Sequence, residues 1–351
     1  MTKDNQINRL NSIQALRFFA AFLVVITHIS YQINERLFGK YGIANDFWVS
    51  GQSGVDVFFV ISGFVMVYTT NVGKPHDWIK FAIRRLIRIV PLYWLATVLK
   101  ILLVFVFANQ VMHSENNLSH IVASFAFLPH LNLSGKYLPV VPAGWTLNYE
   151  MFYYFIFTVA LFLKFRPLAF CSITFILLVL CGKLFDIGGS AGYYCDAIIF
   201  EFIIGMLIAK FFKHLQTRFD FYIGLTSILC GIGIIFFVPP SDWMLDNRWI
   251  FWGGAGAALV FGVVTIEKVG VNNYPNWVIS LGDSSYSIYL FHAMVIPAVI
   301  IVCIKLNISS YASIFILTGS VSLITGYLIH ILIEKPVTQF LKERVATFKL
   351  Q

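Results

Sequence analysis

Charge is what this chain has least of. Lys, Arg, Asp and Glu make up 12% of its 351 residues, against about 25% in a soluble domain. A soluble fold of this length could not hide the apolar surface that remains, so that class is excluded. Cysteine is sparse and unpatterned. Cys171, Cys181, Cys195, Cys230 and Cys303 show no CxxC spacing, which excludes a zinc site or a disulfide framework as an organising feature. No internal period is visible, and that counts against transporter folds built from inverted repeats. No small-residue cleavage site follows the first apolar run, which therefore reads as a retained span behind a short polar lead, Met1 to Asn11.

What is present is hydrophobicity: 58% apolar residues, 35 of them Phe. Ten segments of roughly membrane-spanning length are expected at 13–33, 51–70, 89–109, 145–163, 168–187, 192–212, 219–238, 247–267, 284–305 and 311–333. The expectation is an all-α polytopic membrane protein, one domain over 1–351, with no appended soluble domain. The net charge of +8 does not point to nucleic acid, because the cations gather at span ends. With the N-terminus inside, 18 of 25 cations fall on the cytoplasmic side: Lys3, Arg9, Arg17, Lys74, Lys80, Arg84, Arg85, Arg88, Lys164, Arg166, Lys210, Lys213, Arg218, Lys268, Lys335, Lys342, Arg344 and Lys349. Both termini are thereby expected in the cytoplasm. One loop is long, Gln110 to Gly144, and falls outside; its apolar middle reads as an interfacial or re-entrant helix capping a cavity.

The first span, IQALRFFAAFLVVITHIS, holds Arg17 and His28. Eleven residues bring them to within about 20° of one helix face and about 16 Å apart along it. An edge arginine that snorkels and a bonded core histidine would give the same letters, but intramembrane titratable groups are functional by default. His28 falls about 17 Å deep in a core of about 30 Å, and Asp56 and Glu150 fall about 6–7 Å below the outer edge. A carboxylate beside an imidazole fixes its tautomer and raises its basicity, as a general base requires. Helix capping is the plainer role for either acid alone. At the inner face, KFAIRRLIRIVP places Arg84 and Arg88 at i and i+4, with Arg85 beside them and Arg17 at the same depth. Such a cluster suits a diphosphate-bearing cofactor. Topology signal or anionic lipid accounts for it equally when it is taken alone. The ninth span opens LGDSSYSIYLFH, with His292 near Tyr286 and Tyr289 either as a polar pocket wall or as a bonded core histidine. Pro336 in Glu334-Lys335-Pro336 is expected to stop the last helix. Lys100 is an intramembrane charge without an assigned role.

In this order LRFFAAFLVVITH, GVDVFFVISGF, RRLIRIVPLYW, GWTLNYEMFYY, SYSIYLFH and the terminal EKP resemble the bacterial acyltransferase-3 family of membrane O-acyltransferases, from Arg17 to Pro336. The form GWTLNYEMFYY looks closest to the exopolysaccharide acetyltransferase branch, and the chain resembles the members without an appended hydrolase-like domain. The resemblance implies transfer of acetyl, or another short acyl group, from cytoplasmic acetyl-CoA (or other acyl-CoA) to a sugar hydroxyl in the bacterial inner membrane. It maps the family's first-span Arg and His onto Arg17 and His28, its RxxR pair onto Arg85 and Arg88 with Arg84 additional, and its fourth-span Glu onto Glu150. The expected site is then His28, Glu150 and Asp56 for catalysis; Arg17, Arg85, Arg88 and Arg84 for acyl-CoA; and Trp145, Tyr149, Tyr286 and His292 at the pocket, with no metal. Partners are the lipid bilayer, acyl-CoA and a polysaccharide or lipid-linked glycan acceptor. Exopolysaccharide, lipopolysaccharide O-antigen and capsule all fit. A transporter or flippase of a lipid-linked sugar is the rival reading; it would also show many spans and intramembrane charge.

Overall fold

The computed structural model describes residues 9–38, 49–70, 77–106, 117–214 and 218–348. Lys3, Lys74, Lys349, residues 107–109 of the third expected span and 110–116 of the long loop lie outside them, as do the side chains of Lys213 and Arg218.

Each of the ten expected segments meets a helix. In chain order the main helices are α1 (Asn11–Ile33), α2 (Ser53–Thr69), α3 (Asp77–Val106), α4 (Leu118–Phe125), α5 (Trp145–Phe162), α6 (Pro167–Leu184), α7 (Phe200–Phe211), α8 (Arg218–Phe237), α9 (Arg248–Lys268), α10 (Asn276–Asp283), α11 (Ser285–Lys305), α12 (Tyr311–Ile329) and α13 (Lys335–Phe348). Among the described residues the only β feature is an isolated bridge, Leu131 to Tyr137. The protein is all-α and polytopic, with eight helices among the described residues long and apolar enough to cross a membrane. The two expected spans not among the eight are α5 and α7. α5 carries Asn148, Glu150 and three tyrosines, which dilute its apolarity, and α7 is only 12 residues long behind a 3-10 turn, Ala197–Ile199.

Besides the late start of α7 at Phe200 rather than near 192, two boundaries differ from expectation. The third span begins at Asp77 rather than near 89, so the arginine segment is the first part of the helix itself, with Pro91 inside it. Pro336 does not end the last span. A π-turn, His330–Glu334, links α12 to α13, and its wider path admits a ring that an α-turn would clash with.

α1 is the hub. It packs against α2, α9, α10, α11 and α12, and Ala20, Ala21, Val25 and Ile29 on it are wholly buried. Its first two amide groups, which have no partner inside a helix, donate to the carboxylate of Glu267 on α9: Asn11 N at 2.9 Å and Ser12 N at 2.8 Å. α2 and α7 cross with Gly63 against the Phe202 carbonyl and Gly205 against the Val60 carbonyl, where no Cβ has room. Small residues at such crossings let backbones approach closely in a bilayer. Phe105, Leu184, Phe237 and Ile316 are exposed, the distribution expected where lipid rather than water covers the outside. The loop before α5 holds the helix α4, tied down by His120 Nε2 with the Leu138 carbonyl at 2.8 Å and Val140 N to Ser124 Oγ at 3.0 Å.

Candidate functional site

Two cavities lie on the α1 face that carries Arg17 and His28. The smaller, of about 100 Å³, is lined by Arg17, Arg85, Arg88, Glu150, Tyr154 and Tyr286, among others. Glu150 Oε1 accepts from Ser62 Oγ at 3.1 Å and from the Tyr154 hydroxyl. The Arg85 guanidinium lies over the rings of Phe81 and Tyr154, 5.5 and 5.7 Å from their centroids. Its Nη2 donates to Thr69 Oγ1 at 3.4 Å, while its buried Nε has no hydrogen-bond partner among the described residues. Arg17 Nε donates to Ser285 Oγ at 3.2 Å. Three guanidiniums face one carboxylate here, so the cavity favours an anion. Glu334, from the terminal EKP, ties α11 to the end of the last span: it accepts from Ser287 Oγ at 2.7 Å and pairs with His330 Nδ1 at 2.8 Å.

The larger cavity, of about 850 Å³, is lined by His28, His292, Trp145, Arg248 and Tyr289 with amides from Gln32, Asn34 and Gln52. The capping loop closes it with Lys136, Leu138, Pro142 and Ala143. His28 Nδ1 meets the Val24 carbonyl at 2.9 Å. A carbonyl only accepts, so Nδ1 carries the proton and neutral His28 keeps the Nε2 lone pair of a base. His292 does the same with the Tyr289 carbonyl, and its buried Nε2 is unpartnered among the described residues. The two imidazoles lie edge to face, centroids 4.8 Å apart.

The cavities share two lining residues, Val55 and Tyr289. One helix, α1, therefore presents Arg17 to the anion cavity and His28 to the larger one, on the common face that their spacing predicts.

The expected carboxylate partner of His28 is not there. Asp56 is fully buried and forms a bidentate ion pair with Arg248, Nε to Oδ1 at 3.0 Å and Nη2 to Oδ2 at 2.6 Å. Glu150 turns to the arginine cavity instead. The tautomer of His28 is set by its own helix backbone. Arg84, next to Arg85, lies on the exposed face of α3 and outside the lining. Tyr149 lines neither cavity: its ring stacks on Tyr193 at 4.3 Å and its hydroxyl donates to the Tyr193 carbonyl at 2.7 Å. Trp145, Tyr286 and His292 do line the cavities. Lys100 lines neither cavity. Sequence reasoning passed over Arg248 and Glu201. Arg248 lies between Trp145 and Trp252, 5.9 and 5.0 Å from their centroids. Glu201 is wholly buried with both carboxyl oxygens unpartnered among the described residues. Its place inside the apolar run FEFIIGMLI was the signal that could have found it.

The family profile described as "Acyltransferase domain" matches residues 10–331. ExoZ of Rhizobium meliloti (strain 1021), an exopolysaccharide production protein, is 32% identical over 294 residues, 82% of this chain and 89% of ExoZ. BcsY of Komagataeibacter xylinus, provisionally named a membrane-bound transacylase, is 27% identical over 81% of this chain and 72% of its own length. YrhL of Bacillus subtilis (strain 168), provisionally named a peptidoglycan O-acetyltransferase, is 24% identical over 81% of this chain and 48% of its own. No solved structure matches the chain.

Proposed function

Because the chain belongs to the acyltransferase-3 family, we propose that it is a membrane O-acyltransferase moving an acetyl, or another short acyl group, from acyl-CoA to a hydroxyl of a cell-surface polysaccharide or its lipid-linked precursor. The observation that carries the reading is the pair of adjacent cavities that share Val55 and Tyr289 in their walls, one cationic and one holding an imidazole. Relatives involved in exopolysaccharide production and provisionally in peptidoglycan O-acetylation support the acceptor class.

The anion cavity is the donor end. Arg17, Arg85 and Arg88 offer charge-assisted donors to phosphate oxygens. The smaller cavity, of about 100 Å³, takes the phosphate end and not the whole carrier. The mostly apolar pantetheine arm then runs towards Tyr289. Positive-inside charge puts this end in the cytoplasm and the His28 cavity on the outer side of the inner membrane.

In the larger cavity His28 Nε2 takes the proton of the acceptor hydroxyl as its oxygen bonds to the thioester carbonyl carbon. The carbon–sulfur bond then breaks, and His28 returns the proton to the leaving sulfur. Amides and Trp145 suit a saccharide, whose hydroxyls need donors and acceptors and whose ring faces stack on aromatics. Glu150 and Asp56 do not touch His28. The first holds the arginine cavity in shape, the second holds Arg248.

The test uses membranes given acetyl-CoA radiolabelled in the acetyl group and deacylated surface polysaccharide. Wild type is expected to label the polysaccharide and His28→Ala not. Label retained on the protein in acid would reassign His28 as a nucleophile that carries the acyl group. Equal labelling by the variant would remove His28 from the chemistry.

A further inference from the structure

We propose that Tyr289 is the gate between the two cavities and the residue that limits the length of acyl chain transferred; the second half rests on the function proposed above. The residue stands on the partition. Its hydroxyl shares a hydrogen bond with Thr146 Oγ1 at 3.0 Å, a lining residue of the anion cavity, and donates to the carbonyl of Ala143 at 3.1 Å, a lining residue of the larger one. Its ring meets Phe58 of the anion cavity at 5.8 Å and His292 of the larger cavity at 5.7 Å. Its backbone carbonyl accepts the Nδ1 proton of His292. One side chain thus touches both chambers, and its own backbone sets the tautomer of the imidazole packed edge to face on His28.

Val55, the other shared lining residue, is short and fixed on α2, so the movable part of the partition is the Tyr289 side chain. Its latch is weak enough to release. Two neutral hydrogen bonds at one hydroxyl are each of modest net strength, and a single χ1 change on α11 would swing the ring away. A thioester that starts at the arginines and ends at His28 has to displace that ring. The space freed by one tyrosine sets how many methylenes follow the carbonyl. Each methylene that fails to fit costs roughly tenfold or more in rate.

The experiment separates gate from chemistry. In full-length protein with its five cysteines replaced, Ala293→Cys places a thiol in the larger cavity and away from the anion cavity. A membrane-impermeant charged thiol reagent is added to right-side-out and to inside-out vesicles. With Tyr289 present, labelling is expected from one side only. Tyr289→Phe, which keeps the ring and loses both hydrogen bonds of the latch, raises labelling from the arginine side by about tenfold or more. Tyr289→Ala raises it further. Unchanged arginine-side labelling in both variants would overturn the gate.

The same two variants are then given acetyl-CoA and hexanoyl-CoA. The ratio of hexanoyl to acetyl transfer is expected to rise about tenfold in Tyr289→Ala. An unaltered ratio beside altered labelling would overturn the chain-length role. If wild type turns over neither acyl-CoA while labelling behaves as expected, the functional reading fails and the gate stands.

Discussion

Asp56 and Arg248 are 192 residues apart in the chain and meet as a two-point ion pair, with oxygen–nitrogen distances of 3.0 and 2.6 Å. Both oxygens of Asp56 face the guanidinium rather than His28, and the pair holds Arg248 against the cavity wall between two tryptophans. Glu201 lies close enough to feel both charges.

Removing Arg248 leaves the wholly buried Asp56 carboxylate uncompensated beside Glu201, which costs about 3–5 kcal/mol where such pairs have been broken. Arg248→Met is therefore expected to lower the thermal stability of the detergent-purified protein strongly, and Asp56→Ala, which leaves the partly exposed Arg248 beside Glu201, by less. The double variant Asp56→Ala with Arg248→Met should recover most of that loss. Melting curves for the two singles and the double check this; additive losses would show that the pair does not act as a unit.

Arg85 and Arg84 are neighbours with opposite surroundings. Arg85 faces Glu150 and Tyr154 in the anion cavity, and Arg84 is exposed. Arg85→Ala is expected to raise the KM for acyl-CoA by about 10–100-fold, the loss of a charge-assisted contact, with a smaller change in kcat. Arg84→Ala should leave both near wild type. Steady-state kinetics with acyl-CoA as the varied substrate decide it.

Glu150 is held by two hydroxyls, Ser62 and Tyr154. Losing a hydrogen bond to a charged group costs about 1.5–3 kcal/mol. Tyr154→Phe is thus expected to lower kcat/KM for acyl-CoA by about tenfold or more, and Glu150→Gln by more than Tyr154→Phe. Equal and negligible effects would place Glu150 outside the donor end.

The Glu267 carboxylate receives the first two amides of α1. Its replacement by Ala should cost about 1 kcal/mol, the usual worth of a helix N-cap, seen as a lower melting temperature. Kinetic constants per folded molecule should change little, because Glu267 lines neither cavity.

How much of this the chain discloses follows from where each interaction lives. Arg17 and His28 share one helix, so their common face and separation come from helix geometry alone, and the structure keeps them there. The apolar runs announce the helices for the same reason. Depth in a span, by contrast, says nothing about azimuth. Asp56 and Glu150 were placed near His28 by depth, yet α2 and α5 turn them towards Arg248 and towards Ser62 and Tyr154. Arg85 and Arg84 differ by 100° around α3, enough to send one inward and the other out. Tyr149 is expected at the pocket, but stacking on Tyr193 from another part of the chain claims it. Pairings between helices far apart in sequence are fixed by packing, and one sequence does not display that.

The central claim is that His28, with its free Nε2 in the larger cavity, performs O-acylation. Proton NMR of surface polysaccharide tests it most directly, in a deletion strain complemented with wild type or with His28→Ala at matched membrane levels. Wild type is expected to restore a base-labile acyl resonance on the polysaccharide and His28→Ala to leave it absent. Restoration by both, or no acyl signal that depends on the protein at all, would contradict the account, and the second outcome would favour a carrier of lipid-linked sugar.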